Sequence, residues 1–246
     1  MLSRTITAVV FVGAFAGVAS ADPILISSVQ DIHGSALVEV GPFVSGDQIA
    51  EVRSERGGRF DADGTARAER NGASATTSAS QHTTIDAARL ALFGSGTAAA
   101  ATSGRADLAV AESISVFSAQ FFIREPTSFH FTGTFGATGP DTHVDTTLSG
   151  GNRIHPIFSE FIESRSLTLR RSGLLLPGSY GLFAFAQSTS GLDGVNTSER
   201  ATFDFAFSLG GASPTPEPAP AALVAFALVL CWCCRASTRR ANAATR

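Results

Sequence analysis

The residues best spaced for chemistry are Asp141, His143 and Asp145, at i, i+2 and i+4 along the chain. On an extended strand every second side chain points to one face, so two carboxylates and an imidazole there can hold a divalent ion. The same spacing belongs equally to a solvated strand face, and with Gly139-Pro140 just before it that plainer reading is the expectation. No metal or other cofactor is expected. Asp61-Ala62-Asp63-Gly64 opens like a calcium loop but lacks the later ligands and closing glutamate of an EF-hand. A tight Asp-Gly turn is expected instead. His33, His82, His130 and His155 are scattered, with no H-x-x-x-H or H-E-x-x-H pair.

Nucleophile motifs are missing as well. Gly94-Ser95-Gly96 reads as a small-residue loop, not as the G-x-S-x-G elbow of a serine hydrolase. All 18 basic residues are arginine, so no lysine completes a phosphate-binding loop. The net charge of -3 gives no basic footprint for nucleic acid. Cys231, Cys233 and Cys234 are the only cysteines, so residues 1–230 hold no thiol for a disulfide, a zinc site or a nucleophile. Glu112, Glu125, Glu160 and Glu163 are available to a glycosidase, but the sequence does not pair any two across a cleft. A non-enzymatic domain is the expectation.

The elements that position these residues read as β from 22 to 212. Phe203-Asp204-Phe205-Ala206-Phe207 alternates large apolar and small or polar side chains, so its phenylalanines fall on one face. Ser128–Phe131, Leu182–Gln187, Leu108–Phe117 and Leu37–Val40 alternate likewise. Asp63-Gly64, Asn71-Gly72, Gly139-Pro140, Gly150-Gly151-Asn152, Pro177-Gly178 and Asp193-Gly194 supply turn chemistry between runs. Between Thr65 and Gly104 the composition shifts to Ala, Ser, Thr and Gly; strands are expected first, with short helices at Asp86–Phe93 and in the alanine run at 98–102. Leu175-Leu176-Pro177-Gly178-Ser179-Tyr180 matches the L-x-P-G-x-Y pattern of a tyrosine corner, in which Leu175, Pro177, Gly178 and the only tyrosine have structural roles. The expected fold is all-β: an antiparallel Greek-key β-sandwich, jelly-roll-like.

The two ends differ from this domain. Residues 1–21 have the parts of a secretory signal: Arg4, an apolar stretch, and Ala19-Ser20-Ala21 as the cleavage site. At the other end a proline-rich linker, 213–218, leads to an apolar run, Ala219–Cys234, and an arginine-containing tail, 235–246. The run is apolar all round and carries arginines on one flank, which fits a membrane-inserted helix with a cytoplasmic tail.

Pro216-Glu217-Pro218, the apolar run and then Arg235 with Arg239-Arg240 resemble the PEP-CTERM sorting signal of exopolysaccharide-producing Gram-negative bacteria. The resemblance covers about residues 213–240 and leaves the central domain unassigned. It implies export, signal peptidase and exosortase as processing partners, and transient hold in the inner membrane before release to the surface or matrix. The function expected on this basis is structural or adhesive, within an extracellular polysaccharide layer. A carbohydrate-binding module is the first alternative; with one tryptophan, in the C-terminal apolar run, and one tyrosine, in the corner, it is short of aromatic platforms. A secreted polysaccharide hydrolase is the second.

Overall fold

The computed structural model describes residues 22–55, 57–151, 155–191 and 197–210. Ala19 and Ala21, the Pro216-Glu217-Pro218 triplet, the apolar run and Arg235, Arg239 and Arg240 lie outside the described residues, as does Asp193-Gly194. Among the described residues the regular structure is twelve strands and no helix. They are β1 (Ile24–Val40), β2 (Phe43–Ser54), β3 (Arg59–Arg70), β4 (Ala73–Asp86), β5 (Ala91–Ser103) and β6 (Leu108–Ile123). β7 (Thr127–Thr138), β8 (Thr142–Gly150), β9 (Phe158–Glu163), β10 (Ser166–Leu175), β11 (Gly178–Ser190) and β12 (Thr197–Gly210) follow. Every pairing is antiparallel.

The strands form two six-stranded sheets. Sheet A runs β2-β1-β6-β11-β8-β9, and sheet B runs β10-β7-β12-β5-β4-β3. Strand β2 faces β3, β1 faces β4, β6 faces β5 and β11 faces β12 across the interior. The alternating runs read from the sequence lie within β12, β7, β11, β6 and β1.

Several local expectations are corrected. The alanine run at 98–102 is extended within β5, where it pairs with both β4 and β12. Alanine favours helix only weakly, and two flanking ladders override that preference. Asp86 does accept from the backbone N–H groups of Ala88 and Arg89, but the chain makes only a turn before β5 begins. Asp63-Gly64 is not a turn and Gly94-Ser95-Gly96 is not a loop: both lie inside strands, β3 and β5. Asn71-Gly72 does turn the β3–β4 hairpin, with φ of 46° and 83° as a type I′ turn requires.

The glycines of β5 have a packing purpose. Phe203 pairs with Gly96 and Phe205 with Gly94, while Gly133 flanks Phe205 from β7. A Cβ on Gly94 or Gly96 would run into the Phe205 or Phe203 ring, so these rings lie over bare backbone. From there they reach sheet A, where Phe205 meets Phe117 at 4.9 Å between centroids and Phe207 meets Phe121 at 5.4 Å. Phe117, Phe121, Phe131, Phe135, Phe203 and Phe207 are all fully buried. Each contributes about 1.5–3 kcal/mol by leaving water.

Toward β1–β4 the interior changes character. Ala36, Ala66, Ala68, Ala75 and Ala79 replace the rings. Small side chains leave little between the facing backbones here. Hydroxyls then reach the opposite backbone directly. Thr77 Oγ1 donates to the Glu112 carbonyl at 2.7 Å, and Ser113 Oγ to the Ser78 carbonyl at 2.6 Å. Both lateral edges are also closed across the sheets, by Asp47 accepting from the Arg67 N–H (3.0 Å) and by Arg171 donating to Glu160 (3.0 Å).

Leu175-Leu176-Pro177-Gly178 carries the chain from β10 to β11. Tyr180 Oη donates to the Leu176 carbonyl at 2.6 Å, and its buried ring stacks on Phe121. Two stability changes follow, each read from urea denaturation. Phe207→Ala lowers the unfolding free energy by about 3–5 kcal/mol, because a ring-sized cavity opens beside Phe121 and Phe129. Tyr180→Phe keeps the ring and loses one hydrogen bond, so it costs ~1 kcal/mol.

Candidate functional site

The sequence-derived trio does not assemble. His143 and Asp145 point outward from β8 on sheet A, whereas Asp141 sits in the preceding turn. The Asp141 N–H donates to Glu199 Oε2 at 3.3 Å, and its carbonyl accepts from the Thr189 N–H. His143 lies between aromatic rings, 5.1 Å from Phe161 and 5.4 Å from Phe185. Among the described residues no three His, Cys, Asp or Glu side chains converge as a metal site.

The four glutamates are dispersed too. Glu112 accepts from Gln187 on the outer face of sheet A. Glu163 shares that face but is separated from β6 by β11 and β8, roughly 14 Å of strand spacing. A glycosidase pair needs about 5–9.5 Å. Glu160 is held by Arg171 at the sheet edge, and Glu125 lies in the β6–β7 turn.

A different constellation stands on the outer face of sheet B. Period-two alternation turns Asp61 of β3, His82 of β4, Ser95 of β5 and Asp204 of β12 outward, and register sets them in one row. Arg59, Thr84, Phe93 and Ala206 make the adjacent row. Together they line a shallow groove of about 380 Å³. Its floor includes an aromatic ring, Phe93, 48% exposed although its neighbours inside the sheet are buried. A second groove, about 450 Å³, lies beside the β1–β2 bulge and is lined by Asp31, His33, Gln48, Glu51 and Glu112. It is larger but offers no phenyl ring.

The charges of the sheet B groove are linked. His82 Nδ1 lies 3.0 Å from Asp61 Oδ1, and Arg59 Nε donates to Asp61 Oδ2. These hydrogen bonds, that of His82 first and that of Arg59 second, hold the Asp61 carboxyl below its ordinary value of 3.8. The carboxylate is therefore a fixed acceptor through the mildly acidic range.

Asp61, His82 and Ser95 follow one another as a nucleophile triad would, but the parts for acyl transfer are incomplete. Among the described residues no hydrogen bond joins Ser95 to His82. Strand β5 is laddered on both sides, which leaves no pair of backbone N–H groups aimed at an oxyanion. The groove is equipped instead to hold a ring: an apolar face to stack on Phe93, with carboxylates, imidazole and guanidinium for hydroxyls around it.

Sequence reasoning missed this site because it weighed tryptophan and tyrosine as platforms and not phenylalanine. The signal was present in Leu92-Phe93-Gly94, where the ring interrupts an otherwise small-residue stretch at an outward position. No protein-family model matches the chain, and comparison with characterised proteins finds no relative.

The Asp61 pairing has a measurable consequence. Its stabilisation is fully present above 3.8 and is lost as the pH falls through the lower folded value. Carboxyl-resolved NMR titration is expected to show Asp61 titrating below 3.8 and moving back toward it in His82→Ala.

Proposed function

We propose that the chain is an exported surface protein with a structural, adhesive role in an extracellular polysaccharide layer, held there by the outer face of sheet B. The single observation that carries the contact is the exposed Phe93 ring beside the Asp61–His82–Arg59 cluster. The location rests on the N-terminal signal pattern and on the order of proline-glutamate-proline triplet, apolar run and arginines. Residues 1–21 are read as the signal peptide and 219–234 as the temporary membrane hold.

The fold is read as a jelly-roll sandwich with two extensions. Within β5–β12 the orders β6-β11-β8-β9 and β5-β12-β7-β10 are those of two interleaved Greek keys. The hairpin β1–β2 widens one sheet and β3–β4 the other. The β3–β4 extension supplies Arg59, Asp61 and His82, so the binding groove lies at the join between the eight-strand unit and its added hairpin.

The role is non-enzymatic in this reading. A sheet face provides rigid, evenly spaced side chains for a polymer without enclosing a reacting bond. Affinity electrophoresis of the purified protein through gels containing different polysaccharides tests it. Retardation by at least one polysaccharide, weakened roughly tenfold in Phe93→Ala (the equivalent of ~1.4 kcal/mol), is the expected result. No retardation by any of them, or retardation indifferent to Phe93, removes the adhesive reading.

A further inference from the structure

The outer face of sheet A carries an apolar strip flanked by charged and polar residues. Val29 of β1, Ile114 and Val116 of β6, and Phe183 and Phe185 of β11 point outward, with Phe161 at the β9 edge 53% exposed. His143 bridges Phe185 to Phe161 in an aromatic strip that crosses three strands. An apolar strip of this kind on an uncovered sheet face is suited to a contact. Its polar residues say what kind of surface it meets.

Two adjacent rows cross the face in register. One reads His33, Ile114, Gln187, His143, Glu163; the next reads Asp31, Val116, Phe185, Asp145, Phe161. His33 and His143 stand in the first row and Asp31 and Asp145 in the second, on either side of an apolar centre; Glu163 ends the first row, and His33 Nδ1 already lies 3.4 Å from Asp31 of its own chain. We infer that this face pairs with the same face of a second copy, about a two-fold axis lying in the face, perpendicular to the strands and between the two rows. That operation exchanges the rows. His143 of each copy then meets Asp145 of the other, His33 meets Asp31, and Val116 packs on Ile114. An axis along the strands between β6 and β11 instead sets His33 against His143 and Asp31 against Asp145, which is repulsive, so the pattern favours the axis across the strands. Aligned packing of two sheet faces is an established interior geometry, here reused between copies.

The pairing stands independently of the adhesive reading, but it adds to it. With sheet A covered, both sheet B grooves face outward in opposite directions, and a dimer becomes bivalent toward a polymer.

Sedimentation equilibrium of the full chain, with every sample in the same mild detergent, tests the pairing. The unmodified protein is expected at the mass of two chains. Phe185→Asp, an outward substitution that leaves far-UV circular dichroism unchanged, is expected at the mass of one. His143→Glu alone and Asp145→Arg alone are also expected as single chains, since each sets like charges or an unmatched charge against the partner. Mixed in equal amounts they are expected to recover the two-chain species, because Glu at 143 then meets Arg at 145 while Asp145 meets His143. A single-chain mass for the unmodified protein overturns the inference. So does a two-chain mass that none of these variants disturbs, since that places the contact elsewhere.

Discussion

The fit of phenylalanine rings over bare glycine backbone is the constraint on which the rest of the structure depends. Strand β12 lies near the middle of sheet B, and its Phe203 and Phe205 cover Gly96 and Gly94 on one side, while on the other Gly133 leaves room for the Phe135 ring. Rings laid flat in this way can meet Phe117 and Phe131 across and beside them without forcing the sheets apart. A side chain at those glycines would push β12 out of register with its partners. Because side-chain direction has period two, the register that buries these rings also turns Asp204, Ser95 and Phe93 to the solvent. The groove is thus the outer consequence of the inner packing.

The interior is graded, and the grading shapes both outer faces. At the β6–β12 centre large rings fill the gap by hydrophobic burial. Toward β1–β4 the gap narrows to alanines, and serine and threonine hydroxyls reach across to carbonyls. Burying the Thr77 and Ser113 hydroxyls is tolerable because each of the two finds a carbonyl acceptor, and the net gain per bond is about 1 kcal/mol. The two added hairpins are held to one another at this narrow end, which keeps Arg59, Asp61 and His82 in line with β5 and β12. Positioning by strands rather than loops gives the groove a fixed spacing.

Much of the fold was legible in the sequence, and the reason is periodicity. Phe203 to Leu209 and Leu182 to Gln187 alternate so clearly that their strands and inward faces follow from the residues alone. The stretch from Thr65 to Gly104 was less legible, since alanine, serine and threonine fit helix, strand or turn; its strands are decided by neighbouring ladders, which are distant in sequence. Asp63-Gly64 misled for the same reason, as a turn dipeptide absorbed into a long strand. The candidate site depends on cross-strand register among residues 59 to 206. Asp61 and His82 are 21 positions apart, and no local pattern announces that they touch. The trio at 141, 143 and 145 looked more chemical because its residues are neighbours in sequence, yet the turn takes Asp141 away.

In the proposed function, polysaccharide lies on the outer face of sheet B, against Phe93 and its row neighbours. Backbone amide chemical-shift mapping of the isotope-labelled protein during titration with a retarding polysaccharide tests it most directly. Shifts are expected to concentrate at Asp61, His82, Phe93, Ser95 and Asp204, with the outward positions of β11 and β8 unmoved. Shifts confined to the sheet A face or to the interstrand turns would contradict it.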